Sequence, residues 1–210
     1  MEKRSCIDCG VTACNGKSKN YPAFCLSKTL DPELLQETLA CYELEENKKI
    51  NLIAADVERD GYRQWPRVRE TVEFAKRMGF RKIGIATCIG LVRESRVLAK
   101  ILRSHGFEVF GVVCKCGEIP KADFGIQEDP NKLSANACNP ILQAKLLGRE
   151  KTELNIAMGL CVGHDMLFNH YSEVMVTTLV AKDRVTGHNP AAALYTVESY
   201  YKDLMQEQTE

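Results

Sequence analysis

Residues 81–113 read RKIGIATCIGLVRESRVLAKILRSHGFEVFGVV: an apolar run, a charged stretch with apolar residues at helical spacing, and a second apolar run. The runs 81–87 (RKIGIAT) and 107–113 (FEVFGVV) have strand length and little alternation, the pattern of strands covered on both faces. The segment between them, 91–105, predicts a helix that Gly106 ends. The alternation continues downstream. Two more strands are expected over 153–158 (ELNIAM) and 173–180 (EVMVTTLV), with helices opened by Asn139-Pro140 and Asn189-Pro190. In each Asn-Pro pair asparagine suits the cap and proline the first helical position. Such alternation gives an α/β fold, Rossmann-like, with a mostly parallel sheet of about four strands, flanking helices and right-handed crossovers.

Upstream of this unit the periodicity is helical only. Asp31 can cap a helix with Pro32 in its first turn, and Leu34, Leu35, Thr38, Leu39 and Tyr42 fall on one face. Cys41 lies beside Tyr42 and reads as a core residue. Ile50, Ile53, Ala54 and Val57 suggest a second helix. A third follows Pro66, with Val68, Val72, Ala75 and Met78 on a stripe that Gly79 terminates. Residues 1–30 show no apolar periodicity. The expected organisation is a cysteine-rich metal-binding segment at 1–30, a helical region at 31–80 packed on the main domain, and an α/β domain at 81–205. The tail MQEQTE is expected to fray.

Composition narrows the partners. The 210 residues carry 28 Lys+Arg against 28 Asp+Glu, a formal net charge of zero. With no basic tract, a nucleic acid or an anionic membrane has no electrostatic support as partner. The opening MEKRSCIDCG lacks the apolar run of a signal peptide, and no stretch approaches transmembrane length. A cytoplasmic, reducing location is therefore expected. There the ten cysteines favour metal ligation or catalysis over disulfides.

Four of those cysteines open the chain as Cys6-x2-Cys9-x4-Cys14-x10-Cys25. Four soft thiolates in one short irregular segment suit tetrahedral zinc or an iron–sulfur cluster. Structural zinc usually pairs two short knuckles, whereas one knuckle followed by singly spaced cysteines is more typical of iron–sulfur ligation. Disulfides are the remaining reading. The piece CIDCGVTAC resembles a cluster-binding segment of carbon monoxide dehydrogenases.

The other constellation follows from the sheet. Ligands of parallel sheets gather at the carboxyl ends of the strands. Cys88 follows the first strand, Cys114 and Cys116 the second and Cys161 the third, while Cys138 precedes Asn139-Pro140. Cys88, Cys114, Cys138 and Cys161 are the expected four ligands of a second metal, with Cys116 as substitute or bystander. Cys114 and Cys116 would share a side while the strand persists. The alternative is that all are small buried hydrophobes. Candidate catalytic residues are Cys161, His164, Asp165, Lys182 and His188, the last directly before Asn189-Pro190. His164 and Asp165 could be acid/base groups, or a loop residue and a helix cap. Lys182, Asp183 and Arg184 could bind an anion or form a solvated turn. His105, at a helix end, reads as structural. No phosphate loop, no dinucleotide-binding glycine motif and no thioredoxin-like Cys-x-x-Cys is present.

Four segments together resemble the family called domain of unknown function 1847: CIDCGVTAC at 6–14, NACNPILQAKLL from Asn136, NIAMGLCVGHDMLF from Asn155 and VTTLVAKDRVTGHNPAAALY from Val176. Members of that family are cysteine-rich predicted metal-binding proteins, largely of anaerobic bacteria and archaea. The resemblance implies metal binding through Cys6, Cys9, Cys14 and Cys25, and through Cys138 and Cys161. It brings no reaction, so whether the chain is an enzyme stays open. Two functional expectations follow. One is an iron–sulfur protein with a second thiol-rich redox or catalytic site at the sheet edge, serving a redox or small-molecule partner. The other is a zinc-stabilised, non-catalytic binding or regulatory module; a metal carrier or sensor is a third.

Overall fold

The structure, a computed structural model, describes residues 3–127 and 134–206. Residues 207–210 of the tail expected to fray lie outside them. The chain divides into two compact units, Met1–Asp56 and Val57–Glu210.

The first unit begins with two short 3-10 turns, Cys6–Asp8 and Ala13–Asn15, followed by α1 (Leu26–Thr29), α2 (Pro32–Glu43) and the first part of α3 (Glu45–Gly61). Asp31 caps α2 by accepting the Glu33 N–H at 3.0 Å, with Pro32 in the first turn, as expected. The apolar stripe of α2 does not make a core. Leu34, Leu35, Leu39 and Tyr42 are exposed, and so is Cys41, which corrects its reading as a core residue. Periodicity sets a helix's faces but does not supply the surface that covers them. Among the described residues 3–56 only Ala13 is buried.

The second unit holds α4 (Arg67–Met78), β1 (Lys82–Thr87), α5 (Val92–Ser104), β2 (Glu108–Val113), α6 (Pro140–Arg149), β3 (Leu154–Met158), α7 (His164–Tyr171), β4 (Val176–Val180) and α8 (Ala191–Tyr195). The four strands form one sheet in the order β2-β1-β3-β4. All three pairings are parallel. Strand alternation sorts the core into two layers. Ile83 and Ile85 of β1 and Leu154, Ile156 and Met158 of β3 pack with Val72 and Ala75 of α4 and Leu98 and Leu102 of α5. Ala86 and Ala157 face the other way, onto Ala144 and Leu147 of α6 and Phe168 of α7. Each large apolar side chain buried this way stabilises the sheet by about 1.5–3 kcal/mol.

Two element boundaries differ from expectation. β4 begins at Val176, because Ser172 and Val174 instead turn inward: Ser172 Oγ donates to the Val174 carbonyl at 2.7 Å and accepts from Asn155 Nδ2 at 2.9 Å. The last helix is short, and Pro190 rather than Asn189 is its cap, with no side-chain bond. His188, at φ +68°, turns the chain just before it.

Because β1 connects outward to β2 and the chain then crosses back to β3, the strand order reverses between β1 and β3. That crevice is where open parallel sheets bind ligands. The ladder runs one residue past the strands there. Cys88 N–H donates to Met158 at 3.0 Å, Cys114 N–H to Thr87 at 2.8 Å and Gly159 N–H to Val180 at 2.7 Å. Two cysteines are thus fixed at the edge by backbone bonds alone.

Candidate functional site

The N-terminal quartet converges on one cavity. Cys6, Cys9, Cys14 and Cys25 all line it, together with Tyr21 and Phe24. Its volume is about 70 Å³, far below the roughly 300–1,000 Å³ of pockets that enclose organic ligands. Local bonds set the turns: the Asp8 carboxylate accepts from Ser5 N–H at 2.7 Å, and Cys25 N–H donates to Pro22 at 2.9 Å. Among the described residues that line it four are cysteines and none is charged, which makes a soft donor set. Among the described residues, no three Cys, His, Asp or Glu side chains stand close enough to hold a metal ion. None of the ten cysteines is in a disulfide.

At the sheet edge three sulfurs meet. Cys138 Sγ lies 3.7 Å from Cys114 Sγ, and Cys88 accepts a hydrogen bond from Cys114. The segment bearing Cys138 is held down by Asn139 N–H, which donates to the Cys114 carbonyl at 2.8 Å. Asn139 also caps α6, its Oδ1 accepting Leu142 N–H at 2.9 Å. Cys114 is buried, the other two half-buried. Ile89 N–H donates to Cys114 Sγ at 3.3 Å. Beneath them the buried Gln143 donates to the carbonyls of Thr87 (3.1 Å) and Val112 (2.7 Å), tying the ends of β1 and β2.

Each outer thiol has its own cation. Lys182 meets Cys88 above Gly90, where an added Cβ would lie 3.9 Å from both Cys88 Sγ and Lys182 Nζ. Lys115 faces Cys138, and Arg184 Nη2 is 3.2 Å from Cys161 Sγ. The hydrogen bond from Cys114 holds Cys88 down to about 5, with Gly90 N–H and Lys182 adding to it. Cys138 is also lowered to about 5, first by Cys114 and then by the charges of Lys115 and His164. Cys114, the shared donor, is pushed far up by both bonds and by burial. Two thiolates around one thiol is the resulting arrangement.

The family description Protein of unknown function (DUF1847) matches residues 25–179. An uncharacterised protein of Methanocaldococcus jannaschii is 44% identical over 179 residues, covering 85% of this chain and 92% of its own length. The chain belongs to the DUF1847 family. The DUF1847 match takes in Cys25, Cys88, Cys114, Cys138 and Cys161 but ends before Lys182, Arg184 and His188, and begins after Cys6, Cys9 and Cys14.

Within this DUF1847 chain the structure places the remaining expected residues as follows. Cys116 departs from Cys114 because the strand ends at Val113. It packs against the second core layer. His164 opens α7 within electrostatic range of Cys138. Asp165 is in the first turn of α7, where its Oδ1 accepts Met166 N–H; the cap is Gly163. His188 accepts Asp183 N–H on Nδ1 at 3.1 Å and closes the turn carrying Lys182 and Arg184. His105 ends α5 with Nδ1 3.0 Å from Lys76 Nζ. Lys115 and Gln143 were not legible as site residues, because only the fold brings them to the thiols; a lysine between two cysteines was the one available signal.

Proposed function

We propose that the chain is a metal-binding protein in which Cys6, Cys9, Cys14 and Cys25 hold an iron–sulfur cluster, while the sheet-edge thiols form a second, reactive-thiol site. One observation carries the first half: four thiols line one small cavity in a unit whose described residues bury Ala13 alone. A segment with so little core draws its order from a bound centre. The unequal Cys spacing favours iron–sulfur over zinc. Such a cluster, when bound, supplies one-electron transfer to a redox or small-molecule partner.

The surround of the second site supports thiol chemistry there. Lys115, Lys182 and Arg184 crowd Cys138, Cys88 and Cys161, and like charge opposes a metal dication in the same place. No helix among the described residues is long and apolar enough to cross a membrane.

A zinc-stabilised module is the second reading, favoured by the same lack of core. Anaerobic purification with iron, sulfide and zinc analysis separates them. Iron and sulfide that vanish together in Cys14→Ser are expected. A colourless protein with stoichiometric zinc and no iron establishes the zinc module instead. A metal equivalent lost from Cys88→Ser or Cys138→Ser would return the sheet edge to metal binding.

A further inference from the structure

We propose that Cys138 and Cys114 form a dithiol that reduces small anionic disulfides, with Cys138 attacking and Cys114 resolving. The proposal deepens, and rests on, the reading of the sheet edge as a reactive-thiol site.

Geometry picks the pair and orders it. The sulfurs are 3.7 Å apart, against about 2.05 Å in a disulfide. The backbone bond from Asn139 to Cys114 keeps the two segments together throughout. Cys114 is buried and Cys138 half-buried, so an outside disulfide reaches Cys138 first. Cys88 touches Cys114 and is placed to take its proton. Ile89 N–H faces Cys114 Sγ and supports negative charge that develops there.

Charge picks the substrate class. Among the described residues Lys115, Lys182 and Arg184 meet no carboxylate. Asp183 spends its carboxylate on the N–H groups of Val185 and Thr186, and Asp165 on that of Met166. Lys115 Nζ donates to the Asn136 carbonyl, an uncharged partner. Three cations around half-buried thiols select a disulfide bearing carboxylates.

The exchange balances. Cys138 thiolate attacks one sulfur of R–S–S–R, forming a mixed disulfide and releasing R–S⁻. Cys114 then attacks Cys138 sulfur, and its proton passes through Cys88 to the second leaving group. The protein dithiol loses two electrons to become the Cys114–Cys138 disulfide; the substrate gains them as one R–S⁻ and one R–SH.

Full-length protein treated with oxidised glutathione, then peptide-mapped by mass spectrometry, tests this. Wild type is expected to give the Cys114–Cys138 disulfide with two equivalents of glutathione released. Cys114→Ser should trap glutathione on Cys138, and Cys138→Ser should leave Cys114 unmodified. Cys41→Ser, at an exposed cysteine of the first unit, should match wild type. Lys115→Gln combined with Lys182→Gln should slow the reaction roughly tenfold, and should not slow that of cystamine, a cationic disulfide. A different cysteine pair, a mixed disulfide that persists in wild type, or equal slowing of both reagents would overturn the proposal. Iron and sulfide content of the same preparations reads the N-terminal centre separately. A metal-free protein that still closes Cys114–Cys138 removes that centre and leaves the dithiol standing.

Discussion

Arg184 sets its Nη2 3.2 Å from the Sγ of Cys161, joining the loop after β4 to the loop after β3. The bond keeps Arg184 charged more firmly than usual, first through Cys161 itself. A cation held over a sulfur favours negatively charged reagents at that sulfur. Arg184→Gln should therefore slow the alkylation of Cys161 by iodoacetate roughly tenfold at low salt. Neutral iodoacetamide should be affected much less. Peptide-resolved mass spectrometry over a time course reads both. Equal slowing by the two reagents would mean that Arg184 acts by shaping the loop, not by its charge.

Gly84 is the second test. Its missing side chain is filled by Asn155 across the β1–β3 pair: a Cβ there would collide with Asn155 Oδ1 and press on Leu147. Asn155 is buried, accepting from Thr152 Oγ1 at 2.8 Å and donating to Ser172. Gly84→Ala therefore overpacks a layer and breaks buried hydrogen bonds together. A loss of about 2–4 kcal/mol in urea unfolding is expected. Asn155→Ala alone removes two buried hydrogen bonds, those to Thr152 and Ser172, and should cost about 1–3 kcal/mol. In the double variant the two losses should fall short of their sum, because the collision disappears with the amide.

The same pair shows what could be read from the chain. The apolar runs announce the strands, and the Asn-Pro pair before α6 announces its helix start. Both signals are local, and both survive folding unchanged. An asparagine in a buried strand, or a glycine opposite it, has meaning only when the neighbouring strand is in register. Cys114 and Cys116 could not be separated for a related reason: both lie beyond the end of β2 at Val113, where only the folded chain decides which of them meets Cys88 and Cys138. Cys41 was misread because an amphipathic face does not state what lies against it. Convergence of Cys88, Cys114 and Cys138 was legible from strand ends; the cation beside each outer thiol was not.

Thiol titration gives a prediction with a definite sign. Cys88 and Cys138 sit at about 5 in the folded chain, against roughly 8.5 for an unperturbed thiol. Iodoacetamide should then label Cys138 at a nearly constant rate from pH 6 to pH 8 and slow as pH falls through about 5. A depressed folded value means that the folded chain binds fewer protons inside the window. The stabilisation is complete above the unfolded value and lost as pH falls through the folded one. Wild type should thus gain stability between pH 5.5 and pH 8 relative to Cys138→Ser, as measured by urea unfolding at each pH. A labelling rate that climbs tenfold per unit up to pH 8 would contradict two thiolates around one thiol.

The N-terminal quartet makes the last prediction, and it concerns where order is lost. Residues 3–30 bury only Ala13, whereas the sheet of the second unit has two packed layers. Removal of a metal that organises the first segment should leave the sheet intact, because those layers owe it nothing. Amide hydrogen exchange before and after chelation under anaerobic conditions is expected to show protection lost over 3–30 and kept in β1 and β3. Cys14→Ser should reproduce the chelated pattern, and Cys41→Ser should not. Protection in 3–30 that survives both chelation and Cys14→Ser would show that the segment holds itself together. The four thiols lining its cavity would then have to be explained without a bound centre.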